Sequence, residues 1–173
     1  EPSYVAYTPA VVFNGGVAVH VPTHADRAFA LDPAAVEAAI TPRTRVLFLG
    51  YPCNPTGAVL DDATLEALAA IAVRHDLAVV SDEIYDRLVY GDHRHRPFPT
   101  LPGARERTIL LGGFSKAYAM TGWRLGYVCA PPVITDAMMR VHQYVMMSAP
   151  TAAQHAAIEA LRSGEEDVQG MLG

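Results

Sequence analysis

A chain of 173 residues that is 51% hydrophobic and 18% charged has the apolar content of one packed domain and is too apolar for a disordered segment. Eighteen acidic against 13 basic residues leave a formal net charge of −5, which offers no electrostatic footprint for nucleic acid or for an anionic membrane surface. No apolar run approaches the roughly 20 residues that cross a bilayer.

The chain opens on Glu1-Pro2-Ser3-Tyr4 without a charged-then-apolar leader, and reads as an internal piece of a longer protein. Gly16–Val21 alternates enough for a short strand. Pro33–Ile40 reads as a helix, with Asp32 at the N-cap and Pro33 at the first helical position. Val46–Gly50 is a short apolar run of the kind buried on both faces of a sheet. Asp61–His75 is the clearest helix: Leu65, Leu68, Ala69 and Ala72 recur at i, i+3, i+4, i+7. Acids at its start and Arg74 and His75 at its end suit the helix dipole.

Leu77–Ser81, Thr108–Leu111 and Arg124–Ala130 read as further strands, and Val133–Met147 and Thr151–Leu161 as helices parted by Pro150. The stretch 92–105 reads as a polar loop rich in Pro and His, its run His93-Arg94-His95-Arg96 as solvated, and Met138, Met139, Met146 and Met147 as helix-packing residues. Residues 163–173 lose periodicity and read as a frayed tail. Apolar strands alternating with helices predict an α/β fold, a mostly parallel sheet with helices on both faces. Cys53 and Cys129 form no CxxC pair and read as buried or half-buried thiols in a reducing cytosol. His20 and His24 are separated by Pro22 and share no helix face, so no metal site is expected.

In a parallel sheet, ligands bind beyond the carboxyl ends of the strands. The first of these strand ends is followed by Asn54-Pro55-Thr56-Gly57, the second by Asp82, Glu83 and Tyr85, and the third by Gly112-Gly113-Phe114-Ser115-Lys116 with Arg124 eight residues on. An amine, a carboxylate, a phenol, an amide, a hydroxyl and a guanidinium on one rim suit a phosphorylated pyridine aldehyde. Such a group needs an amine for a Schiff base, a carboxylate for its ring nitrogen, donors for its phenolate oxygen, and a cation with a hydroxyl for its phosphate. Taken singly, each has a plainer reading. Lys116 could be a surface lysine, Asp82 a helix cap, Arg124 a surface arginine, Tyr4 and Tyr85 packing residues, and Asn54 a turn residue.

The segments YPCNPTGAVL (51–60), VVSDEIYDRLVYG (79–91) and GGFSKAYAMTGWRLGYV (112–128) resemble the class I/II aminotransferases, fold type I enzymes that use pyridoxal 5′-phosphate. The resemblance runs from Pro2 to about Leu161. It implies that Lys116 forms the Schiff base and shuttles the proton, that Asp82 pairs with the pyridinium nitrogen, and that Asn54 and Tyr85 bond the phenolate oxygen. Catalysis would thus rest on Lys116, Asp82 and Tyr85. It further implies that Ser115 and Arg124 hold the phosphate, that Tyr4 stacks on the ring, and that the Asn54–Pro55 bond is cis.

Three departures stand out. Many relatives carry Ser or Thr as a phosphate ligand where this chain has Gly113. The family's phosphate-binding turn would lie upstream of Glu1, and the small domain with its substrate-binding arginine downstream of Gly173. Residues 1–162 are therefore expected to be part of a large cofactor-binding domain, with 163–173 leading toward the small domain. The activity implied is amino-group exchange between an L-amino acid, aspartate- or aromatic-like, and a 2-oxo acid, in a cytoplasmic homodimer. The alternatives are a C–S lyase with the same cofactor, or an aminotransferase-like sensor domain of a transcriptional regulator. The intact Asn54-Pro55-Thr56-Gly57 favours an enzyme.

Overall fold

Three apolar runs lie side by side as parallel strands: β1 (Val46–Gly50), β2 (Ala78–Asp82) and β3 (Thr108–Gly113). The fourth, β4 (Gly126–Cys129), runs antiparallel to β3 and completes a sheet of order β1-β2-β3-β4. These elements come from a computed structural model that describes residues 1–173. The sheet is mostly parallel, as the sequence predicts. The exception is β4, because no crossover helix separates it from β3 and the chain simply turns back.

Six helices accompany the sheet: α1 (Tyr7–Phe13), α2 (Pro33–Ala38), α3 (Asp62–Arg74), α4 (Pro132–Val145), α5 (Thr151–Ser163) and α6 (Glu165–Leu172). Asp32 caps α2 by accepting from the Ala34 amide, and Pro33 takes the first helical position. Asp61 caps α3 by accepting from the Thr64 amide. The stripe Leu65, Leu68, Ala69 and Ala72 is buried, as its spacing predicts. It meets Leu49 and Val79 of the sheet, together with Phe98, Leu101 and Ala104. The opposite face of the sheet is covered more thinly, with Tyr7 of α1 stacked on Phe48 at a centroid distance of 4.2 Å.

Several expectations are corrected. Gly16–Val21 is not a strand. It has no neighbour with which to form a ladder, and Val17 and Val19 are exposed; its ends are tied instead by Gly16 N donating to Val11 O and by the Glu1 amino group donating to Val21 O. Val46–Gly50 is a strand but not buried on both faces, since β1 lies at the sheet edge and Val46 is half exposed. The run His93–Arg96 is solvated only in part, since His93 and Arg94 are exposed but His95 turns inward, and the loop that holds it is anchored. That loop carries a 3-10 turn, Phe98–Thr100, and sends Phe98, Leu101 and Ala104 into the core. The tail is not frayed: α6 buries Val168, begins with three acids at the positive end of its dipole, and pairs Glu165 with Arg87. Cys53 is buried as expected, whereas Cys129 is exposed on β4. The four methionines of α4 and the turn after it are exposed, and α4 buries no residue. No helix is long and apolar enough to cross a membrane.

Leu68 is fully buried at the centre of the stripe. Leu68→Ala should therefore cost about 2–5 kcal/mol of stability, read as a lower midpoint in denaturant unfolding. A loss below about 1 kcal/mol would mean that the core collapses around the deletion.

Candidate active site

Parallel pairing sets Gly50, Asp82 and Leu111 level with one another, so the loops that follow β1, β2 and β3 leave from one rim. After β1 the turn closes through Gly57 N to Cys53 O at 2.7 Å and Cys53 N to Ala58 O at 2.8 Å. Gly57 has φ +73, a conformation open to glycine at little cost. The Asn54–Pro55 bond is cis, as is Tyr51–Pro52. After β2 the chain turns at Ile84–Arg87, and after β3 it turns through Phe114–Met120, which carries Lys116.

These loops surround a cavity of about 260 Å³, lined among others by Tyr4, Tyr7, Asn54, Asp82, Tyr85 and Lys116. That is just below the roughly 300–1,000 Å³ of small-molecule sites. Asp82 is fixed from two sides: Tyr7 Oη donates to Oδ2 at 2.7 Å and the Ile84 amide donates to Oδ1 at 3.2 Å. Asn54 Nδ2 donates to Tyr85 Oη at 3.5 Å. Lys116 Nζ stands 5.8 Å from the centroid of the Tyr85 ring. Lys116 is also the only lysine in the chain.

Five of the seven residues singled out from sequence thus line one cavity: Tyr4, Asn54, Asp82, Tyr85 and Lys116. Ser115 and Arg124 do not. They are tied to the same turn, however, since Arg124 Nη1 donates to Thr121 O at 2.9 Å and Thr121 Oγ1 to Ser115 O at 2.9 Å. Gly113 leaves little room for the missing Ser or Thr. A Cβ there would lie 2.9 Å from Ile84 Cδ1 and 3.2 Å from the Gly126 Cα, inside normal contact.

The sequence reading missed Tyr7. It lies three residues after Tyr4, one helical turn on, and their rings meet edge to face at 5.5 Å. Which of the two aromatics reaches Asp82 depends on how α1 docks against β1, and no local pattern reports that. Gly50 is part of the fit, because a Cβ on it would stand 2.7 Å from Tyr7 Oη. Burial, and then the hydrogen bond to Asp82, push the Tyr7 phenol well above its ordinary value, so it stays a neutral donor.

The donor set fits a pyridine aldehyde at its ring end: Asp82 for the ring nitrogen, Lys116 for the aldehyde carbon, and Asn54 with Tyr85 for the phenolate oxygen. Ser115 and Arg124, the pair expected at the phosphate, lie outside the lining of this cavity.

Comparison with known proteins bears on this arrangement. The family model for aminotransferase class I and II matches residues 1–172. The chain is 45% identical over 161 residues to an aspartate aminotransferase of Pyrococcus abyssi, covering 93% of this chain and 41% of that protein. It is 46% identical over 165 residues to an aspartate/prephenate aminotransferase of Thermus thermophilus, covering 95% and 42%. The crystal structure of the aromatic aminotransferase of Pyrococcus horikoshii superposes with a TM-score of 0.93 at 43% identity, over 99% of this chain and 45% of that one. The chain spans less than half the length of these relatives.

Two outcomes follow from the geometry. Tyr7→Phe removes the donor to Asp82 Oδ2 and should cost about 1–3 kcal/mol, seen in thermal unfolding as roughly 2–4 °C per kcal/mol; an unchanged midpoint would show that Asp82 finds another donor. Asp86, just beyond Tyr85, is half-buried, and burial pushes its carboxyl above the ordinary 3.8 against the opposing pull of His95 and Arg87. A raised carboxyl pKa makes the folded state bind more protons than the unfolded, so stability falls as pH rises through that interval. Asp86→Asn should thus be more stable than the parent at neutral pH, with the difference closing as pH drops below 3.8. A difference that does not change with pH would overturn this.

Proposed function

We propose, because the chain belongs to the class I and II aminotransferase family, that it is part of the cofactor-binding domain of an enzyme that moves an amino group between an L-amino acid and a 2-oxo acid. The substrates are of the aspartate or aromatic type, and the working enzyme is a cytoplasmic homodimer. The observation that carries this reading is the convergence of Asp82 and Lys116 on one cavity, with the Asp82 carboxylate already held by Tyr7.

When bound, pyridoxal 5′-phosphate supplies the electron sink that stabilises negative charge at the substrate Cα. The chain's own residues divide the remaining work. Lys116 Nζ is the point of covalent attachment. As a free amine, Lys116 Nζ would be the base placed to take a proton at the substrate Cα and to give it back. Asp82 keeps the ring nitrogen protonated, and Tyr7 and the Ile84 amide stop the carboxylate from turning away. Asn54 and Tyr85 would hold the phenolate oxygen, and Tyr4 would cover the ring. Ser115 and Arg124 meet the phosphate, a charge-assisted contact that suits a guanidinium. The rest of the phosphate cup and the clamp on the substrate carboxylate belong to the part of the protein that corresponds to the uncovered half of its relatives.

The test is borohydride reduction of the full-length protein incubated with pyridoxal 5′-phosphate, followed by peptide mass analysis. Within these 173 residues a lysine label has only one place to go, and it should appear on the peptide that contains Lys116. A label confined to a lysine elsewhere in the protein, or no label, would refute the assignment.

A further inference from the structure

At the end of β2 the chain runs between two cavities. Asp82 and Tyr85 line the candidate site. Ser81 and Glu83 face a second, smaller space of about 30 Å³ together with His95 and Phe98. This follows from the alternation of side chains along a strand: neighbouring carboxylates, Asp82 and Glu83, point to opposite sides.

Glu83 is 4% exposed, and a carboxylate buried to that degree needs donors on both oxygens. It has them. Oε1 accepts from Ser81 Oγ at 2.8 Å and from the Phe98 amide at 2.9 Å. Oε2 lies 2.6 Å from His95 Nε2, and since an ionised carboxylate can only accept, the imidazole donates. The backbone of Glu83 is held as well, with its N–H on Leu111 O and its carbonyl accepting from Asp86 N, both at 2.9 Å. The next amide, Ile84 N–H, donates to Asp82 Oδ1. A continuous path therefore leads from His95 through Glu83 and the 83–84 peptide to the Asp82 carboxylate.

We propose that His95 is a positioning residue: by donating from Nε2 to the buried Glu83 carboxylate, it holds the strand end from which Asp82 and Tyr85 reach the cofactor-facing cavity. This rests on the cofactor reading given above. Other charges near the pair do not replace His95. Arg96 is taken up by Glu66 at 2.9 Å and Asp62 at 3.5 Å, His93 and Arg94 are exposed, and Asp86 carries the wrong sign. The loop itself stays docked through Phe98, Leu101 and Ala104. Loss of His95 therefore leaves Glu83 Oε2 buried without a donor at a fixed place, and the 83–84 peptide is what can yield.

The experiment compares His95→Leu, His95→Gln and the control His93→Ala in the full-length protein. It reads the Kd for pyridoxal 5′-phosphate, kcat and KM for amino-group exchange, and hydrogen exchange at the Ile84 and Phe98 amides. Removing one partner of a buried pair is a large perturbation, so His95→Leu should weaken cofactor binding and lower kcat by at least about tenfold each, with KM for the amino acid nearly unchanged. The Ile84 and Phe98 amides should lose protection. Glutamine keeps an N–H donor, so His95→Gln should recover part of both losses, and it carries the comparison if His95→Leu does not fold. Cofactor affinity, kcat and amide protection in His95→Leu that match His93→Ala would overturn the proposal. If the parent itself takes no cofactor on Lys116, the cofactor reading fails. The role of His95 as a strut is then decided by amide protection alone, which supports it if lost in His95→Leu and sinks it if kept.

Discussion

The parallel register that places Gly50, Asp82 and Leu111 in one row is the constraint on which the rest depends. Strands in a sheet lie roughly 4.8 Å apart, so groups at three aligned strand ends come within reach of one small ligand. A slip of one residue would turn Asp82 to the core side and Glu83 or Ser81 to the cavity. The core opposes that slip, because Leu77 and Val79 would leave the buried cluster together. Hydrophobic burial on one face of the sheet thereby fixes the polar chemistry at its edge.

β2 carries two consecutive carboxylates into different surroundings. Asp82 meets a phenol and one amide in a half-open cavity. Glu83 meets a hydroxyl, an amide and an imidazole in the interior. Each is satisfied, and no buried side-chain polar atom lacks a partner. The distant donors come from opposite directions in the chain: α1 supplies Tyr7 to Asp82, and the 92–104 stretch supplies His95 and the Phe98 amide to Glu83. The strand end is held between them.

Burial is uneven. The face between α3 and the sheet is dense, whereas α4 buries nothing and leaves Val133, Val141, Tyr144 and Val145 in the open, and all of β4 is exposed. Apolar area of this extent marks a surface that meets more protein. Relatives of more than twice this length have the chain with which to cover it.

The local devices were legible from the order of residues alone. Asp32 and Asp61 as caps, the Leu65–Leu68–Ala69–Ala72 stripe, the three parallel strands and the residues that follow them are set by propensity, period and turn chemistry, which act over a few positions. So was the set of groups that fits the ring of a pyridine aldehyde, because strand-end residues share a rim whatever the rest of the chain does. Pairings between distant segments were not legible. Tyr7 reaches Asp82 across 75 positions, and Glu165 meets Arg87 across 78. His95 turned inward to Glu83 from a stretch whose polar composition suggested solvent. Gly16–Val21 alternated like a strand but found no neighbour. The sequence by itself determined which groups stand at the strand ends. Only the tertiary structure decided which side chains hold them there, since a hydrogen bond or a ladder forms between whichever segments the packing of the core brings together.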